Sequence, residues 1–108
     1  MMLSGLTPSE SDVIRRCVRA AASGPFFPDW EFHILFGLER HELSTLLSRW
    51  RELDDSQDLV KQAIGNSLNN LLGYPHGNPQ AFHEWIGEPW SEVNRISNKW
   101  RQASGRSA

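Results

Sequence analysis

One cysteine, Cys17, is the only thiol in 108 residues. It builds neither a disulfide framework nor a thiol metal site, and a reducing cytosol is the natural compartment for such a chain. No apolar run approaches the ~20 residues that span a bilayer. The start Met1-Met2-Leu3-Ser4-Gly5 lacks the basic n-region and apolar run of a signal peptide, so an unprocessed chain is expected. A basic excess is missing as well: 13 acids face 11 lysines and arginines, for a net charge of −2. That balance argues against duplex binding and leaves room for a basic partner. Alternating β-branched runs bounded by turns are absent, which argues against a sheet, and no internal repeat is found. The histidines His33, His41, His76 and His83 lack the i, i+4 pairing of helical metal sites. Glu39-Arg40-His41-Glu42 is followed by no second histidine of a metalloprotease motif. No nucleophile elbow or glycine-rich phosphate loop accompanies the serines, histidines and aspartates. The expectation is a non-enzymatic chain with no metal and no cofactor.

What is present is a hydrophobic content of 39% and a charged content of 22%, ordinary for one globular domain with its own core. The stretch Gly24-Pro25-Phe26-Phe27-Pro28-Asp29-Trp30-Glu31-Phe32-His33-Ile34-Leu35-Phe36-Gly37 holds four of the five phenylalanines and one of the five tryptophans. Pro25 and Pro28 push the residues before them toward extended backbone, so an irregular entry is predicted before a short helical turn over residues 30–36. Each ring buries about 150–250 Å², and the whole stretch is expected inside a helical shell.

Thr7-Pro8-Ser9-Glu10 reads as a capping box with proline at the first helical position. Val13, Ile14, Cys17, Val18 and Ala21 then mark one face of a helix ending near Ser23-Gly24. A second amphipathic helix follows Gly37, with Leu43, Leu46, Leu47 and Trp50 on its apolar face, and runs out near Leu53. Asp54, Asp55 or Ser56 caps a third, whose predicted buried stripe is Leu59, Val60, Ala63, Ile64, Leu68, Leu71 and Leu72 and whose stop is Gly73. Tyr74-Pro75-His76-Gly77 is a turn; Asn78 and Pro79 restart a short helix with Phe82, Trp85 and Ile86 inward, and Gly87 breaks it. A last helix from Glu88-Pro89 repeats Val93, Ile96 and Trp100 at three and four residues. The fold class is therefore all-α, an orthogonal bundle of about five helices around an irregular aromatic segment, one domain over residues 1–108 with 1–6 and 103–108 frayed.

Charge is unevenly placed. Residues 29–58 carry eight acids (Asp29, Glu31, Glu39, Glu42, Glu52, Asp54, Asp55, Asp58) against Arg40, Arg49 and Arg51, a net −5, while the flanking parts are +1 and +2. Asp54, Asp55 and Asp58 at a helix start, and Glu84 and Glu88 beside Trp85, are the candidate partner-binding residues, because aromatic anchors carry interface energy and acids steer encounter. Those acids also weigh against a helix-turn-helix. Arg15, Arg16 and Arg19 form either a solvated helix face or a small basic patch for an acidic partner or RNA. Asn66 and Asn70, four apart in a helix interior that disfavours them, are expected to hydrogen-bond the irregular backbone between Gly24 and Trp30. The alternative is a candidate polar pocket of His33, Asn66, Asn70 and His76. His33 is placed to pair with Asp29, one turn earlier.

Phe26-Phe27-Pro28-Asp29-Trp30-Glu31-Phe32-His33 and Asn69-Asn70-Leu71-Leu72-Gly73-Tyr74-Pro75-His76 resemble strings shared by a group of small bacterial proteins, a resemblance that covers most of the chain and implies no activity. In size, helicity and acidic middle the chain also resembles, more loosely, immunity proteins of contact-dependent and other polymorphic toxin systems. That resemblance implies a single-domain cytoplasmic inhibitor of a cognate basic toxin domain, often a nuclease, and assigns no residue a role. The expected function is thus partner binding without catalysis, membrane or nucleic acid. The alternatives are a small enzyme or ligand-binding domain with a pocket near the aromatic segment, and a helical nucleic-acid adaptor.

Overall fold

The computed structural model describes residues 3–73 and 78–104. Six α-helices and one 3-10 turn follow one another: α1 (Pro8–Ser23), α2 (Asp29–Phe36), α3 (Arg40–Ser48), the 3-10 turn Trp50–Glu52, α4 (Asp58–Gly73), α5 (Pro79–Ile86) and α6 (Trp90–Ala103). There is no strand among the described residues, so the all-α class holds. The predicted turn at residues 74–77 lies outside them.

The capping box forms as written: the Thr7 hydroxyl accepts from the Glu10 N–H and the Glu10 carboxylate accepts from the Thr7 N–H. α1 packs on α3, α4, α5 and α6 and is the hub. Its apolar face broadens toward the C-terminus, where Ala20, Ala21 and Ala22 are all buried and the helices can approach closely.

The second half of the aromatic segment is α2, which begins one residue earlier than the helical turn expected over residues 30–36. Phe26, Phe27, Phe32 and Phe36 are buried. Phe32 and Phe36, one turn apart, stack with centroids 4.3 Å apart, and Phe27 meets Phe36 edge-on at 5.1 Å. The same helical period turns Trp30 and Ile34 outward, 75% and 77% exposed, so the expectation that the whole stretch lies inside is corrected for these two. Gly37 ends α2 in the left-handed region at φ +71°, its N–H donating to the His33 carbonyl.

Two further corrections concern burial. Leu59, expected on the buried stripe of α4, is 54% exposed, whereas the described part of the segment expected to fray at the start, residues 3–6, is anchored. Leu3 and Leu6 are buried in the core, and the Leu3 N–H donates to the Ser11 hydroxyl at 3.1 Å. Ala103, expected in a frayed tail, closes α6. Trp50 is also buried but sits in the 3-10 turn, one residue past the C-cap Arg49 of α3.

Candidate functional site

Because α2 enters from a proline-punctuated segment, several carbonyls there have no helical or sheet partner and must be answered by side chains. Arg40, the first residue of α3, does this. It donates to the Ala22 carbonyl at 2.6 Å, to the Phe27 carbonyl at 2.9 Å and to the Asp29 carboxylate at 3.0 Å, and its guanidinium lies 4.4 Å from the Phe32 ring centroid. The opposite end of α2 is held by α4: Asn66 donates to the Phe36 carbonyl at 2.8 Å, and Asn70 to the carbonyls of Leu35 at 3.0 Å and Asn66 at 2.8 Å. The two asparagines are therefore backbone clamps, but on carbonyls of the last turn of α2 and not on the segment between Gly24 and Trp30.

That arrangement accounts for the candidate polar pocket. Asn66 and Asn70 are spent on α2, His33 is exposed and its Nδ1 lies 2.9 Å from Glu39 and not beside Asp29, and His76 lies outside the described residues. Among the described residues these groups are not gathered into one cavity. A cleft of about 490 Å³ is lined instead by Asp29, Phe32, Glu39, Arg40, His41 and Ser44.

The candidate partner-binding acids divide. Asp55 is buried: its carboxylate accepts from the Ser4 N–H at 2.8 Å, the Ser4 hydroxyl at 3.0 Å and the Trp100 indole N–H at 3.1 Å, so it is an internal strut and not a partner-facing acid. Asp54 is exposed and accepts from the Ser56 N–H at 2.9 Å, a bond that holds its carboxyl below the usual range. Asp58 is exposed in the first turn of α4. On α5, Glu84 is exposed and accepts from Gln80, while Trp85 is half-buried beneath the Arg19 guanidinium, 4.8 Å from the ring centroid. Glu88 is half-buried and lines a separate cleft of about 320 Å³ with Ser9, Glu10, Arg16 and Glu92.

Much of the acidity read from composition is answered inside the molecule. Asp29 pairs with Arg40, Glu39 with His33 and Glu52 with Arg49. Glu10, 12% exposed, accepts from Lys99 at 2.7 Å, Thr7 at 2.9 Å and Arg95 at 3.2 Å, and these bonds hold its carboxyl down at about 2, with the lysine contributing most. Arg95 also binds Glu92 and its pKa is raised by both partners. The basic patch is likewise redistributed. Arg15 and Arg16 share Asp12, Arg16 also donates to the Ile86 carbonyl, and Arg19 covers Trp85. Arg15 instead meets Arg49 and Arg51 across a cleft of about 550 Å³ that also holds Asp12 and Glu52, a surface of mixed sign.

Cys17 is buried, and burial pushes its thiol up to about 12, which leaves it inert as a nucleophile. Among the described residues no group of three or more His, Cys, Asp or Glu side chains could hold a metal ion. None of the helices there is long and apolar enough to cross a membrane.

Arg40 was not singled out by the sequence reading. One local signal was there: an arginine at the first position of a helix opposes the macrodipole, so it calls for another reason to be present. No family model, curated protein or solved structure matches the chain.

Proposed function

We propose that the chain is a non-enzymatic protein-binding module, and specifically an immunity protein that binds and neutralises a cognate, basic bacterial toxin domain in the cytoplasm. The observation that supports this is the corner where α4 begins. Asp54 and Asp58 are exposed there, belong to none of the ion pairs described above, and stand beside the half-exposed Leu59. Even with the Lys61 ammonium near Asp54, two exposed carboxylates leave this corner negative and steer a cationic partner, and an apolar side chain among them contributes burial when that partner docks.

The test is protection. Cells challenged with a toxin domain encoded beside this chain should survive when it is co-expressed, and the two purified proteins should form a complex that weakens with salt. Reversing Asp54 and Asp58 to lysine should lower affinity about tenfold or more with little change in melting. Failure to protect against any adjacent toxin would remove the immunity reading, and unaltered affinity would remove this corner from it.

A further inference from the structure

We infer that the solvent face of α2 is a docking surface for a basic protein, whose cationic side chains meet the carboxylates of Asp29, Glu31, Glu39 and Glu42 while an apolar socket takes the Trp30 indole. The inference rests on the protein-binding reading above, but not on its immunity form and not on the corner at the start of α4.

Exposure is the first reason. Trp30 and Ile34 are the two most exposed large apolar residues among those described, and they sit one helical turn apart, so they form a continuous stripe. The chain buries Phe26, Phe27, Phe32 and Phe36 around them. Leaving an indole in water next to such a core is a feature of a site that is covered on binding, and tryptophan is enriched among anchors of this kind.

Rigidity is the second. The inner side of α2 is fixed by the Phe32–Phe36 stack, by Arg40 on the Phe27 carbonyl and Asp29, and by Asn66 and Asn70 on the last carbonyls. The stripe is thus presented in one conformation, which lowers the ordering cost of docking.

Charge selects the occupant. Asp29, with its side chain 93% exposed, is on the same flank of the stripe as His33, one helical turn on, and His33 is paired with Glu39 and not with Asp29. Glu31 follows on the other flank, and Glu42 is exposed in the first turn of α3, hydrogen-bonded to the Glu39 N–H. The one arginine in this neighbourhood, Arg40, pairs with Asp29 as well as with backbone carbonyls, so four carboxylates share a single guanidinium and the face stays negative. A face with this balance repels anionic lipid and nucleic acid. A second copy docked about a two-fold axis would set the same acids against each other. A basic protein surface is the occupant that complements it.

The test uses the full chain with a photoreactive phenylalanine analogue at position 30, expressed in the cells it comes from, with position 59 as the comparison. The cross-linked protein is identified by mass spectrometry, purified and titrated against the unmodified chain. We expect a basic protein whose affinity falls about tenfold or more with the double substitution Trp30→Ala, Ile34→Ala, at an unchanged melting temperature, and falls again as salt is raised. Wild-type affinity in that variant, with binding lost instead on reversing Asp54 and Asp58, would overturn this surface while leaving the protein-binding reading standing. Absence of any partner at either position would overturn both. Dimerisation abolished by the α2 variant, or binding to anionic vesicles, would overturn the proposed occupant.

Discussion

Replacing Arg40 by methionine keeps most of the apolar stem but strands the carbonyls of Ala22 and Phe27 and leaves Asp29 without its cation. The expected loss is about 2–4 kcal/mol, read from urea unfolding. Glu10 offers a test in pH. Its carboxyl lies at about 2 against an ordinary 4.5, so its contribution is complete above 4.5 and disappears as pH falls toward 2. Glu10→Gln should therefore be less stable than the wild type at pH 7 and converge on it in strong acid, which denaturant melts at a series of pH values would show. The difference between what was legible in the sequence and what was not is visible in these same side chains. The Thr7–Glu10 box spans four residues, and its geometry follows from the helix start alone. Asp55 finds its partners 51 and 45 residues away, at Ser4 and Trp100, and nothing in the run Asp54-Asp55-Ser56 distinguishes a strut from a solvated acid.

Among the elements, α2 shows where periodicity stops informing. Its bounds were readable from Pro28 and Gly37, but five of its eight residues are apolar, so the sequence marked no single face. What decides the face is contact from outside the helix, through Arg40 and the two asparagines. Asn70→Ala should lower stability by about 1–2 kcal/mol, or several degrees of melting in a domain of this size. Loss of partner binding with unchanged melting would instead point to a role at an interface. The start of α4 teaches the converse. The third helix was well marked by its apolar spacing, yet Leu59 lies outward while its neighbour Val60 in the same turn is buried, because Leu59 stands at the edge of the stripe that Val60, Ile64 and Leu71 define. The edges of apolar stripes were the places least visible from spacing, and both candidate surfaces lie there or on the outer side of α2.

The complete assembly is organised around α1, which spacing predicted as an ordinary amphipathic helix. The clue to its central position was the consecutive Ala20-Ala21-Ala22, buried together because neighbouring helices close over that end from several sides. Ala21→Leu should cost about 1–3 kcal/mol by overpacking. Leu3→Ala should cost about 2–5 kcal/mol, although that residue precedes every helix, because it is sealed into the same core. Both would appear as shifts of the denaturant midpoint with an unchanged slope if unfolding is all-or-none. The radius of gyration of 12.6 Å matches the roughly 13 Å of a folded chain of about 100 residues, so these sites report on one common interior.

Gly5 adopts φ +74° against α6, and a methyl group added there would collide with the Cβ of Ala103. Asp55 meanwhile ties Ser4 to Trp100. The first and last of the described residues are thus neighbours in space. A short peptide sealing them into a ring, with new ends cut at the exposed Ser56-Gln57, would be a circular permutant carrying the same interior in a different chain order.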